Sequence, residues 1–233
     1  MIKAILFDLD NTLLDFSGFK RGSAIAAAKA MRKAGVKAKE KELCRRIWAV
    51  YDEKGIEYQY TFRDVLLGYG LDPHAHERAL QAAVIAYTKK KYALLRPRPR
   101  VISTLSSLRR RFKLGIVTDA PREKAWQRLI LSGLDGFFDA VVTYTDTGEL
   151  KPSSAPFMRA CGLLKIKPSE ALFVGDNPER DILGAKKAGM RTCLAAYYGK
   201  FGCGEVADFT IRRFEEVGKI KEKEENIVSS HLA

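Results

Sequence analysis

Cysteine and histidine are scarce in this chain of 233 residues, which has four Cys (Cys44, Cys161, Cys193 and Cys203) and three His. No two cysteines form a CxxC pair, and their spacing fits no zinc pattern. That argues against a structural zinc site and a dithiol redox motif. No apolar run is long enough to span a bilayer, and Met1-Ile2-Lys3-Ala4 leads into a strand pattern without a signal-peptide layout. A cytoplasmic protein with free thiols is expected. Acidic residues are also missing from one long stretch. Between Arg78 and Thr118 there is no Asp or Glu but there are eleven Lys and Arg, within a chain of net charge +13. Such a stretch raises nucleic acid, membrane surfaces and small anions as partners. No nucleic-acid-binding fold is recognisable beneath it. The expectation is therefore a small anionic metabolite, with no specific nucleic acid and no membrane.

What is present is an alternation of strand and helix. Short apolar runs bounded by turn signals read as buried strands at Ile2–Asp8, Leu114–Thr118, Ala140–Thr143, Ala171–Asp176 and Thr192–Ala195, with a weaker one at Asp208–Ile211. Helical patterns lie between them at Arg122–Ser132, Ala155–Leu164 and Pro178–Ala188. This pattern predicts an α/β fold with a mostly parallel sheet covered on both faces. It breaks over 18–93, where only helix-period segments occur: Lys20–Lys33, Glu40–Lys54, Phe62–Gly68 and Pro73–Tyr92. An all-helical module is expected there, inserted into a core made of 1–17 and 94–233. Its return linker is R-P-R-P-R, Arg96–Arg100. An arginine before a proline is held extended. Trp48, Tyr51, Tyr58 and Tyr60 read as the core of the module, while Phe16, Ser17, Phe19 and Lys20 are candidates for substrate contact, with packing the favoured role for Phe16 and Phe19. The tail after Gly218 reads as one helical turn and a frayed end.

The polar residues collect at predicted strand ends, where open α/β sheets bind ligands. Strand one runs into Asp8-Leu9-Asp10-Asn11-Thr12, the next into Thr118-Asp119, and the fourth into Asp176-Asn177 with Asp181 close behind. Lys151-Pro152 precedes a helix. Carboxylates crowded together without Cys or His suit Mg²⁺, which removes their mutual repulsion. A carboxylate beside Mg²⁺ is a nucleophile for phosphorus, with an aspartyl-phosphate as product. Lys151, Thr118 and backbone N–H groups after Asp8 supply charge and donors for a phosphate. Asp10 is the candidate for proton transfer. Asp119 either faces substrate or caps the helix that follows it, and capping is the stronger expectation.

Four motifs in order carry a family resemblance: D-L-D-N-T at Asp8–Thr12, G-I-V-T at Gly115–Thr118, Lys151-Pro152, and G-D-N-P-E-R-D at Gly175–Asp181. Taken together they are specific. The chain resembles a haloacid dehalogenase (HAD) superfamily phosphatase with a helical cap inserted after the first motif. The resemblance implies a doubly wound, Rossmann-like core and a Mg²⁺-dependent hydrolysis of a small phosphorylated metabolite. It also implies that Asp8 is the nucleophile and Asp10 the general acid and base. Mg²⁺ would be held by Asp8, the Asp10 carbonyl and Asp176, with Asp181 orienting water, metal or Lys151. Thr118 and Lys151 would grip the phosphate, and Asn11 would offer its backbone N–H. The family pattern often has Asp or His and then Pro after Lys-Pro; this chain has Ser153-Ser154. A sugar-phosphate mutase shares all four motifs. A phospho-receiver domain shares the Asp, Thr and Lys, but has neither the inserted helices nor a general acid.

Overall fold

The computed structural model describes residues 1–197 and 207–220. Cys203 and the tail after 220 lie outside them. The apolar runs form six strands, β1 (Ala4–Phe7), β2 (Lys113–Val117), β3 (Ala140–Val142), β4 (Ala171–Gly175), β5 (Arg191–Ala195) and β6 (Phe209–Ile211). They make one sheet in the order β3-β2-β1-β4-β5-β6, and every pairing is parallel. The chain steps outward from β1 to β3, then crosses back to place β4 on the other side of β1. That reversal leaves a crevice beyond the carboxyl ends of β1 and β4, where ligands bind in doubly wound sheets. β1 and β4 are buried along their whole length, as continuous apolar runs should be when both faces are covered.

Two compact units make up the chain: 1–15 with 96–233, and Phe16–Leu95. The second is helical, with α1 (Phe16–Lys33), α2 (Glu40–Lys54), α3 (Thr61–Leu66) and α4 (Pro73–Leu94). α1 buries Ala24, Ala27, Ala28 and Met31, a stripe of helical period. α4 answers with Ala79 and Ala83, so small side chains meet in the middle of the unit. Asp72 starts α4 by accepting the Ala75 N–H at 2.9 Å, with Pro73 in the first turn. Tyr51 is buried as expected, whereas Tyr60 is 57% exposed. Lys20 is buried within this unit: its ammonium donates to the Ile56 carbonyl at 2.6 Å and lies 5.0 Å from the centre of the Tyr51 ring.

The sheet-bearing unit adds α5 (Val101–Leu108), α6 (Arg122–Ser132), α7 (Tyr144–Thr147), α8 (Ala155–Leu164) and α9 (Leu183–Lys187). One face of the sheet packs Leu6, Val117 and Phe173 against Phe157 and Ala160 of α8. The Phe157 and Phe173 rings meet edge to face with centroids 4.9 Å apart. Within this unit Leu14 pairs with Pro97 in an antiparallel bridge, and Arg98 N–H donates to the Leu13 carbonyl. The R-P-R-P-R linker is thus stitched to the chain that leaves β1.

Candidate active site

The site grows from the end of β1. Asp8 N–H donates to the Val174 carbonyl at 2.9 Å, which carries the β1–β4 pairing one residue further and sets Asp8 at the crevice. Beyond it the chain turns tightly: the N–H groups of Leu13 and Leu14 both donate to the Leu9 carbonyl. Leu9, Leu13 and Leu14 are fully buried and anchor the turn. Asn11 takes φ +62°, a left-handed conformation that Asn tolerates better than most residues. Its carbonyl accepts from Arg98 Nε at 3.1 Å. Thr12 Oγ1 donates to Asp8 Oδ2 at 3.3 Å, which restrains the Asp8 carboxylate from below.

Lys151 reaches the same carboxylate from the loop before α8. Its Nζ lies 2.7 Å from Asp8 Oδ1 and 2.6 Å from Asp181 Oδ1, and donates to the Val117 carbonyl at 3.2 Å. Three acceptors satisfy the three protons of an ammonium. The residue is only 4% exposed. Its backbone N–H donates to Asp119 Oδ1 at 2.9 Å, while Asp119 Oδ2 receives Arg180 Nη1 at 3.2 Å. Asp119 therefore does not cap α6, whose preceding residue Pro121 has no side-chain cap bond. It ties the loops after β2 and β4 to the lysine. Thr118 is buried, and its Oγ1 accepts the Ala120 N–H.

Asp181 enters through a wide π-type turn, Pro178–Ile182, that leads into α9. Asn177 caps the turn through Oδ1, accepting the N–H groups of Glu179 and Arg180 at 3.0 Å each. Asp181 folds back so that its Oδ2 accepts the Asn177 N–H at 3.0 Å. It sits directly over Gly175: a Cβ there would meet Asp181 Cβ and Oδ2 at 2.5 Å, so the glycine is a requirement of close approach.

Burial pushes the Asp8 carboxyl well above the ordinary carboxylate range; Lys151 pulls it down, and Asp181, Asp176 and Asp10 add to the upward push. Burial, then Asp181, pushes Asp176 up to about 6, against Lys151 and Arg180. For Lys151 burial acts downward, but Asp181, Asp8 and Asp119 outweigh it and hold the ammonium above its usual range. The lysine is charged, and the acids around it are in excess. Asp8, Asp176 and Asp181 can each turn one oxygen to within 4.8 Å of the others. An all-oxygen donor set with surplus negative charge fits a hard divalent cation such as Mg²⁺. Asp8 and Asp181 each give one oxygen to Lys151, the other oxygen of Asp8 accepting from Thr12 and that of Asp181 from the Asn177 N–H, and the half-buried Asp176 completes the set.

Asp8, Lys151, Asp176 and Asp181 therefore meet in one place. Asp10 is near enough to add to the upward push on Asp8, and its Oδ2 lies 2.5 Å from Arg128 Nη1. Neither Arg128 nor the bracing roles of Arg98 and Asp119 are visible in sequence. Arg128 sits among apolar α6 positions, and only the fold brings it to Asp10.

The haloacid dehalogenase-like hydrolase family matches the chain over residues 2–189. A glyceraldehyde 3-phosphate phosphatase of Methanopyrus kandleri is 39% identical over 93% of this chain and 96% of its own length. The protein of the same name from Methanocaldococcus jannaschii is 35% identical over 93% and 96%. The crystal structure of a HAD phosphatase from Thermococcus onnurineus superposes with a TM-score of 0.70 at 29% identity, covering 94% of this chain and 98% of that one. With the match running from before Asp8 to beyond Asp181, and the four motif segments gathered at the switch point of the sheet, this chain belongs to the haloacid dehalogenase-like hydrolases.

Proposed function

We propose that the protein is a Mg²⁺-dependent phosphatase that hydrolyses a small phosphate monoester through an aspartyl-phosphate on Asp8. The observation that carries this is the buried Lys151 ammonium held between Asp8 and Asp181, with Asp176 beside them. Such a grouping handles an anion without driving it from a carboxylate nucleophile. Asp8, Asp176 and the backbone carbonyl of Asp10 would hold Mg²⁺. When bound, the ion supplies the positive charge that lets a carboxylate approach a phosphate. Lys151 and Thr118 hold the phosphate oxygens, and the Asn11 N–H adds a donor at the turn. An Asp8 oxygen attacks phosphorus, the bond to the ester oxygen breaks, and Asp10 gives the departing alkoxide its proton. The Asp10 carboxylate then takes a proton from water as the water oxygen attacks the phosphoryl group. Asp8 leaves, and inorganic phosphate is released. Asp181 keeps Lys151 in place.

The curated relatives at 35–39% identity make glyceraldehyde 3-phosphate the first substrate to test. We assign the helical unit Phe16–Leu95 to substrate selection, as the family resemblance implies, and the cytoplasm as the site of action. The test is a screen of purified protein against phosphorylated metabolites, with glyceraldehyde 3-phosphate, phosphoglycolate and hexose phosphates as separate arms. Phosphate release should need Mg²⁺, stop in EDTA and be absent from Asp8→Asn. Metal-independent release, or an active Asp8→Asn protein, refutes the reading; conversion of one hexose phosphate to its isomer without phosphate release favours a mutase.

A further inference from the structure

We propose that Arg128 is a positioning residue for the general acid, holding the Asp10 carboxylate in the conformation from which it serves the leaving group. This rests on the assignment of proton transfer to Asp10. The buried residues of α6 are Ala125, Arg128, Leu129 and Ser132. Their spacing is that of the core-facing stripe of a helix. Three of them are small or apolar, and the fourth is an arginine that is 2% exposed. A guanidinium cannot shed its proton, so its burial leaves a full charge to be met inside the protein. Asp10 Oδ2, 2.5 Å from Nη1, meets it, and the other carboxyl oxygen is the one that carries and passes the proton.

The contact follows from topology. β1 and β2 are parallel neighbours, so the loop after β1 and the helix after β2 rise from the same sheet edge. Residues 118 apart in sequence are thereby joined. Stability alone does not explain an arginine here. Replacing a buried ion pair by apolar side chains is often neutral or stabilising, and a leucine would continue the stripe. What the arginine adds is orientation. Asp10 lies at the start of a tight turn, where its side chain has several staggered rotamers. An ion pair to a side chain locked in the core selects one of them. The two acids then have separate cations: Lys151 for Asp8 and Arg128 for Asp10. Each carboxylate keeps its own place two residues from the other.

The experiment is single-turnover phosphorylation with Mg²⁺, comparing an alkyl phosphate with p-nitrophenyl phosphate. The proteins are wild type, Asp10→Asn, Arg128→Met, Arg128→Lys and the Asp10→Asn/Arg128→Met double variant. Nitrophenolate leaves without a proton, so loss of the acid weighs on the alkyl ester. Arg128→Met should slow the alkyl ester roughly ten- to hundredfold, the scale of a misplaced catalytic group, and slow the nitrophenyl ester far less. The double variant should be no slower than Asp10→Asn, and Arg128→Lys should recover part of the loss. Equal slowing of both esters, or a loss that adds in full to that of Asp10→Asn, makes Arg128 merely structural and overturns the proposal. If Arg128→Met does not fold, Arg128→Lys decides alone: a loss selective for the alkyl ester supports positioning, and an equal loss or none refutes it. An Asp10→Asn protein that slows both esters alike brings down the acid assignment itself. A selective Asp10→Asn beside an unselective Arg128→Met brings down only the positioning.

Discussion

Removing a charge from the candidate metal site should make the metal-free protein more stable. Asp176 is half-buried beside Asp181, and its carboxyl is pushed up to about 6, so ionising it at neutral pH works against the folded state. Between the ordinary 3.8 and about 6 the folded chain binds more protons than the unfolded one, so stability falls as pH rises through that window. At about 1.4 kcal/mol per pH unit, the gap is worth about 3 kcal/mol. Asp176→Asn keeps the shape and removes the titration. In EDTA at pH 8 it should exceed wild type by about 2–3 kcal/mol, and at pH 4 the two should nearly coincide. The carboxylates whose values are lowered, such as Asp208 and Asp146, are common to both proteins and cancel in the difference. Mg²⁺ should reverse the order by stabilising wild type alone. Urea unfolding across pH, with EDTA and with Mg²⁺, measures each term. The reasoning is wrong if Asp176→Asn is no more stable than wild type in EDTA at pH 8, or if Mg²⁺ stabilises both equally.

Gly175→Ala should cost about 1–3 kcal/mol in urea unfolding and lower kcat. The new methyl group falls on Asp181, which holds Lys151; unchanged stability and kcat would show that Asp181 is free to move. Arg98→Met should lower kcat/KM by a factor that does not change with salt, because Arg98 acts by bracing the Asn11 carbonyl and not through its field. Arg109→Met should be neutral, since Arg109 donates to the Gly136 carbonyl at the opposite end of β2. Initial rates at low and high ionic strength separate the two, and a loss at Arg98 that fades with salt would show that its charge steers anions instead.

The sheet is legible in the sequence because buried parallel strands are short apolar runs, and each of the six runs overlaps an observed strand. The longer helices are legible from their period. α5 and α7 are not. Val101–Leu108 lies inside the acid-free stretch, where charge draws attention from an amphipathic pattern, and Tyr144–Thr147 is a single turn with no period to detect. The basic stretch itself misleads. Read as a set of solvated charges, it suggests a funnel for anions, yet Arg98 is 13% exposed, donates to Asn11 and lies 4.7 Å from the centre of the Tyr197 ring.

At the site the division is sharper, and its cause is chemical. Asp8 and Asp176 follow strand ends, and Lys151 and Asp181 stand in motifs of fixed spacing, so the sequence brings the four together before any fold is drawn. Asp119 has a local frame too, but an ambiguous one. Thr-Asp-Ala-Pro is good capping chemistry, and what the carboxylate does instead depends on a lysine backbone that arrives from 32 residues away. Arg128 has no frame at all. In sequence it is one of 41 Lys and Arg, on a helix whose other charged residues are exposed or half-buried. Its burial follows from β2 lying beside β1, a long-range pairing that no local pattern encodes. Residues that do chemistry must sit where backbone geometry aims them, so their surroundings carry a signature. Residues that hold those in place need only reach them through the core, and any helix on the right strand can supply one.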